Sequence, residues 1–174
     1  MNSIILISFP FLLLGLEKVQ SVAPTPPGMD SPCEVLYDDL ERRKPKDYTL
    51  PDTAFLNGEL FSGCSYSMAD PGEGVMFTFY ESGLVTEQIA YYENGQMERR
   101  FTFVGGLSEG THEMFYPDGS HYIRENYRHG MAHGKFERWY GNGQLAREAV
   151  FLKDGLLWDK YYDEEGVLID SYPK

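Results

Sequence analysis

The chain repeats one short phrase: two aromatic residues, a polar pair and a glycine. Four copies end at Gly83, Gly95, Gly119 and Gly143, and a fifth copy, with one extra residue, ends at Gly166. The last four glycines are separated by 24, 24 and 23 residues. A fixed period in the twenties is typical of repeat architectures, in which each copy adds one supersecondary unit to a stack. Such stacks present long surfaces more often than deep pockets.

The repeated glycines predict reversals of the chain. Asn-Gly and Asp-Gly after strand-forming residues are strong β-hairpin signals. The copy at residues 116–119 reads Tyr-Pro-Asp-Gly, which favours a type I turn followed by a G1 bulge. Asn142-Gly143 fits either that turn or a two-residue type I′ turn, and the two differ by one residue in register. A second group of turn sequences lies between the copies, at residues 106–110, 130–134 and 153–155.

Between the turns the segments have the ordinary length of a β-strand. They are rich in aromatic and β-branched residues and show no helical spacing of apolar positions. The sequence therefore predicts an all-β fold, an antiparallel meander of β-hairpins from about Phe55 to Tyr172 with little or no helix. The structural turn residues of this meander are five glycines: Gly83, Gly95, Gly119, Gly143 and Gly166.

The aromatic pairs predict two ladders, because neighbouring side chains in a strand point to opposite faces. One ladder is formed by Tyr80, Tyr92, Tyr116, Tyr140 and Tyr162, and the residues before them form the other. Both ladders can stabilise the sheet through cross-strand contacts. A single layer cannot bury both faces, so an exposed ladder would suit a peptide or a sugar. The tyrosine ladder is our candidate binding surface, with Tyr92, Tyr116 and Tyr140 at its centre.

Two motifs carry a resemblance to a known family. Tyr-x-Asn-Gly-Gln-(Leu/Met) occurs at 92–97 and 140–145, and Gly-x-x-His-Gly occurs at 130–134. With the spacing of the turns, they make residues 56 to 172 resemble the MORN-repeat variant family. Bacterial members of that family are often labelled YwqK-type antitoxins of toxin–antitoxin systems. The resemblance implies an elongated, twisted, single-layer sheet of hairpins, and it permits an antitoxin-like role.

The N-terminal part differs in composition from the repeats. Ile4 to Leu16 form an apolar run of 13 residues, whereas a spanning helix needs about 20. We therefore predict a signal peptide over residues 1–22 and export to the periplasm, cell envelope or medium; the alternative is an uncleaved N-terminal membrane anchor. Residues 23–54 are then a proline-rich linker and N-terminal extension, and residues 55–174 are the repeat domain.

The cysteine count bears on a possible disulfide, and the net charge bears on the kinds of partner. Cys33 and Cys64 are the only cysteines; an even count in an exported protein suggests a disulfide, and two buried free thiols are the open alternative. The net charge of -12 disfavours nucleic acid and anionic lipid headgroups as partners. We expect no membrane insertion of the mature chain. The same negative charge attracts a basic protein, so a basic partner is electrostatically favoured.

The residue patterns that could indicate a catalytic or metal-binding site are weak. His129 and His133 fall in a glycine turn, and His112 and His121 flank the Asp118-Gly119 hairpin as strand residues. The acidic run 163–165 reads as a solvated turn without the spacing of a calcium loop. We therefore predict no catalytic residue, metal site or cofactor.

The leading interpretation is a non-catalytic, exported protein–protein interaction module that resembles YwqK-type antitoxins. The alternative is a cell-envelope carbohydrate-binding protein that uses the aromatic ladder.

Overall fold

The computed structural model describes residues 24–30, 32–33, 35–43, 51–68 and 74–173. The predicted signal peptide lies outside the described residues. Within them the only helical element is a 3-10 turn, Tyr37–Asp39. No helix in these ranges has the length and apolar content that crossing a bilayer requires.

Sixteen strands make up the rest of the regular structure in the described ranges. In chain order they are β1 Val35–Leu36, β2 Glu41–Arg43, β3 Thr53–Leu56, β4 Glu59–Leu60, β5 Gly63–Met68, β6 Val75–Glu81, β7 Leu84–Tyr91, β8 Met97–Val104, β9 Leu107–Ser108, β10 Gly110–Phe115, β11 His121–Arg128, β12 Met131–Ala132, β13 Gly134–Trp139, β14 Leu145–Leu152, β15 Gly155–Tyr162 and β16 Leu168–Tyr172.

The prediction of an all-β hairpin meander is confirmed. The main sheet runs β1-β5-β6-β7-β8-β10-β11-β13-β14-β15-β16, and the short strands β9 and β12 extend the hairpin ends of β8 and β11. Every pairing in it is antiparallel except that of β1 with β5. The meander begins at Gly63 rather than near Phe55, because β2, β3 and β4 form a separate three-stranded sheet.

One turn type closes the hairpins that end at four of the repeat glycines. At Gly95, Gly119, Gly143 and Gly166 the glycine N–H donates to the carbonyl three residues earlier, at 2.8 to 3.0 Å. Each of these glycines has a φ between +83° and +86°. This is the type I turn with a G1 bulge predicted for residues 116–119, and it also decides the register at Asn142-Gly143. In the last copy the turn begins at Asp163, because the extra residue lies between the aromatic pair and the glycine.

Gly83 belongs to the other turn type, and its grouping with Gly95 and Gly119 was wrong. Glu81 pairs directly with Leu84, and the two residues between them, Ser82 and Gly83, both have positive φ. That geometry is a two-residue type I′ turn. The same geometry recurs at residues 105–106, 129–130 and 153–154. The two turn types therefore alternate along the chain, one at each long edge of the sheet.

The two faces of the sheet differ in chemistry, because cross-strand partners share a face. One face carries the row Arg100, Glu113, Arg124, Glu137, Glu148 and Lys160. We call it the ionic face. The opposite face, which we call the aromatic face, carries His112, Tyr127, Phe136, Ala149 and Asp159 at alternating positions. All five buried residues of β7–β16 lie on the aromatic face: Ala90, His112, Phe136, Ala149 and Asp159.

The N-terminal extension covers both faces of the first strands. Strand β1 pairs with the edge of β5, and Cys33 before it is disulfide-bonded to Cys64, with the two Cα atoms 5.2 Å apart. Cys33 packs with Tyr66 and Phe77 on the ionic face. After β1 the chain crosses to the aromatic face, where a second apolar cluster is built from Leu40, Ala54, Phe61 and Tyr80. The start of the sheet thus has the enclosed core that a single layer lacks.

Candidate interaction surface

The central tyrosines connect successive repeats through their hydroxyls. Tyr92 donates to the carbonyl of Phe115 at 2.7 Å, and Tyr116 donates to the carbonyl of Trp139 at 2.9 Å. Tyr140 continues the series by donating to the Tyr162 carbonyl at 2.9 Å. All three rings are half-buried. These hydroxyls are therefore structural bonds between repeats, and the use of the rings as a binding platform stays a prediction.

Turn side chains add a second bond between the same repeats. The Asn94 side-chain amide donates to the Pro117 carbonyl at 2.8 Å, and Asn142 donates in the same way to Glu164 at 3.0 Å. Each asparagine also accepts from a backbone N–H within its own turn. The Asn-Gly phrase therefore closes its hairpin and holds the next one, which explains why it recurs with the tyrosine.

Two members of the predicted tyrosine ladder lie elsewhere. Tyr162 pairs with Leu168 one residue before the turn, so it takes the position of Trp139 on the ionic face and donates to Glu148 at 2.7 Å. The extra residue of the last copy causes this shift. Tyr80 precedes a type I′ turn instead of a G1 turn, so it lies at the opposite edge of the sheet. It is buried, with its ring centroid 5.4 Å from that of Phe61.

The structure contains an aromatic row that the sequence reading missed. On the aromatic face Tyr80, Phe103, Tyr127 and Phe151 each stand three residues before the last residue of a type I′ turn. His112 and Phe136 lie between the last three, and from Phe103 to Phe151 neighbouring ring centroids are 4.7 to 5.5 Å apart. The signal was present, since Phe103, Tyr127 and Phe151 are each 24 residues apart.

The ionic face carries ion pairs along most of its length. Arg100 contacts Glu87 at 2.7 Å, and Arg124 bridges Glu113 at 3.2 Å and Glu137 at 3.6 Å. Glu137 and Glu148 are direct cross-strand partners of like charge. Lys135 reaches between them, at 2.7 Å and 3.8 Å, and the hydrogen bond to Glu137 raises the pKa of Lys135. An exposed ion pair contributes little to stability by itself. The main effect of this row is that most charged side chains of the ionic face have an oppositely charged neighbour.

One ion pair on the aromatic face is shielded from water. Arg147 holds Asp159 through two hydrogen bonds, from Nε at 2.9 Å and from Nη2 at 2.6 Å. The Asp159 side chain is 6% exposed. Burial opposes its ionisation, but the hydrogen bonds from Arg147 and Tyr161 outweigh burial and lower the pKa of Asp159 below its ordinary value. This Asp159–Arg147 pair neutralises one of two neighbouring arginines.

The four histidines have separate environments. His112 is buried in the aromatic row, and its Nε2 lies 2.9 Å from the Thr102 carbonyl. His121 lies on the other face beside Phe115 and Trp139, so it does not approach His112. His129 is in a type I′ turn, as the glycines predicted, whereas His133 lies between β12 and β13 and its backbone N–H donates to the Asn126 carbonyl at 2.8 Å. Among the described residues no group of three or more acidic, cysteine or histidine side chains could hold a metal ion.

A shallow depression lies on the aromatic face between the last G1 turns. Its lining includes Arg138, Arg147 and three tyrosines: Tyr116, Tyr140 and Tyr161. A second depression adjoins it and shares the two arginines. The rings of Tyr116 and Tyr140 are fixed here by their hydroxyl bonds to the next repeat.

Comparison with known families supports the repeat assignment. Residues 84–104, 108–129 and 132–153 match the family model described as MORN repeat variant. The breaks between the matched segments fall at type I′ turns, so each segment is one hairpin closed by a G1 turn. A search of curated proteins found no match. The resemblance is therefore confirmed for three repeats, whereas the antitoxin label stays a prediction.

Proposed function

We propose that the chain is a non-catalytic interaction protein that binds another protein along its repeat sheet. The observation that carries this proposal is that the N-terminal extension packs on the first strands of the sheet but not on the last ones. The N-terminal extension packs buried clusters against both faces of β5 and β6, although Met68 at the end of β5 is 67% exposed, whereas no described segment packs on the last two hairpins. The exposed apolar side chains of the last two hairpins are Leu152, Leu156, Leu157, Val167, Leu168 and Ile169, with 38% to 64% of their surface accessible. Exposed apolar surface grouped in one region marks interaction sites.

The carbohydrate-binding alternative is less well supported. A sugar platform needs ring faces together with polar groups that are free to bond hydroxyls. The Tyr92, Tyr116 and Tyr140 hydroxyls are already bonded to backbone carbonyls. A protein partner needs only the ring surface, the guanidinium groups and the exposed aliphatic side chains. The net charge of -12 favours a partner that is basic overall.

Export to an oxidising compartment is part of the proposal. The Cys33–Cys64 disulfide supports it, because disulfides persist outside the reducing cytosol. The apolar run near the N-terminus supports it independently. N-terminal sequencing of the protein from its native host tests this step: cleavage near residues 21–23 is expected. An intact Met1 in a cytoplasmic fraction would contradict export.

Site-specific photocrosslinking tests the binding surface. A photoreactive residue replaces Leu157, which is 52% exposed on the last hairpins, or Met29, which is 42% exposed on the N-terminal extension. We expect the Leu157 probe to trap one defined protein from envelope fractions, saturably, and the Met29 probe to trap none. Equal capture at both positions, or no saturable product at Leu157, would overturn the proposed function.

A further inference from the structure

Two arginines are direct cross-strand neighbours on the aromatic face. Arg138 of β13 pairs with Arg147 of β14 in the register of the sheet. Like charges directly opposite each other destabilise a sheet, so each guanidinium needs a compensating anion. The row that contains them continues to Ile123 on one side and to Tyr161 on the other. Neither of those neighbours supplies an anion.

Only one of the two arginines is compensated. Arg147 holds Asp159 at 2.6 Å. Arg138 is exposed, and its polar side-chain contact in the described part of the chain is the Tyr122 hydroxyl, at 2.7 Å. No described carboxylate lies within 4 Å of it. A guanidinium has five N–H donors in a fork that matches a carboxylate, so most of the donors of Arg138 remain available.

The surroundings of Arg138 fit a carboxylate that is carried on an apolar stem. Arg138 and Arg147 line the shallow depression together with Tyr116, Tyr140 and Tyr161. The rings of Tyr116 and Tyr140 are held in place by their hydroxyl bonds to the next repeat. Their immobility reduces the entropy lost when a ligand packs against them. A glutamate side chain offers methylene groups to such rings and a carboxylate to the guanidinium.

We propose that the depression around Arg138 binds a glutamate side chain of an extended segment of the partner protein. This inference rests on the proposed function and names the anchoring group within the partner. It is compatible with a partner that is basic overall, because net charge governs long-range approach, whereas a local charge pair governs specificity. The Arg138 guanidinium donates hydrogen bonds to the carboxylate, and the tyrosine rings pack against the methylene groups of the glutamate side chain.

Peptide titration of the full chain, followed by backbone and arginine side-chain NMR signals, tests the inference. The probe is the peptide Ac-Lys-Thr-Glu-Thr-Lys-NH2, and the matched control peptide carries Gln in place of Glu. We expect the glutamate peptide to shift the signals of Arg138 and Tyr116 saturably and the glutamine peptide to leave them unchanged. Arg138→Gln should weaken the binding about tenfold, the value of one charge-assisted pair. Arg128→Gln, an exposed charge-matched variant at the type I′ edge, should not.

Several results would overturn the inference. An equal loss in Arg138→Gln and Arg128→Gln would show that only overall charge matters, and no shift with the glutamate peptide would exclude the site. Binding of an oligoglucuronate in an Arg138-dependent manner, without peptide binding, would assign the site to acidic sugars instead. If the Leu157 probe traps its partner equally well in Arg138→Gln, the inference fails while the proposed function stands.

Discussion

The two ends of the sheet are stabilised in different ways. At β5 and β6 the N-terminal extension covers both faces, so that Phe77 is 1% exposed and Ser65 is 0% exposed. From β8 to β15 no described segment covers the sheet, and the stabilising contacts repeat with the sequence: a tyrosine hydroxyl and an asparagine amide to the next repeat, and a row of ion pairs. The covered end depends on burial beneath the extension, and the uncovered end depends on contacts that repeat along the sheet, both the polar bonds and the aromatic row. A single-layer sheet can therefore extend by repetition after one end has been enclosed.

The strongest test of this comparison is a large core substitution at the covered end. Phe77→Ala should cost about 3–5 kcal/mol of unfolding free energy, because it leaves a cavity in an enclosed cluster. Phe151→Ala, in the uncovered part, removes the same ring from a half-buried site that contacts Phe136. It should cost only about 1–2 kcal/mol, because part of the ring is in water before unfolding. Urea denaturation measures both, and equal losses would contradict a difference in enclosure.

The disulfide offers a second test at the covered end. Replacing both Cys33 and Cys64 with Ser removes a link that spans 31 residues, for which chain entropy predicts a loss of about 3–4 kcal/mol. Hydrogen exchange should then show the loss at β5 and β6, whereas β13 and β14 keep their protection. Uniform loss of protection along the sheet would show that the two ends unfold as one unit.

One turn of the uncovered part provides its own matched control. Gly143 has a φ of +84° and Gly141, two residues earlier, does not lie in the left-handed region. A Cβ added at either position would meet no atom within 4 Å beyond its chain neighbours, so space does not distinguish them. Gly143→Ala should cost about 1–2 kcal/mol through the left-handed backbone, while Gly141→Ala should be neutral or slightly stabilising. Thermal unfolding measures both, and equal effects would remove the turn argument.

The repeating part of the fold could be predicted because its signals are local. The period and the turn sequences indicated the hairpins, and Tyr116-Pro117-Asp118-Gly119 indicated the turn type. The predicted position of Tyr162 was wrong, because the extra residue of the last copy lies between the aromatic pair and the glycine. The turn therefore begins one residue after Tyr162 instead of at it. The contact of Tyr80 with Phe61 could not be predicted, because the segment before β5 occurs only once in the chain and a repeat period gives no information about its contacts. The uncompensated charge of Arg138 depends on cross-strand register, which the sequence left open at Asn142-Gly143.

The smallest expected effect concerns the hydroxyl bonds between repeats. Tyr116→Phe keeps the ring and removes the hydroxyl that donates to the Trp139 carbonyl at 2.9 Å. It should cost about 1 kcal/mol, the usual net value of one hydrogen bond. Tyr172→Phe, at a tyrosine that is 59% exposed, is the control and should leave stability unchanged. A loss at Tyr172 as large as at Tyr116 would mean that the uncovered end does not depend on this ladder.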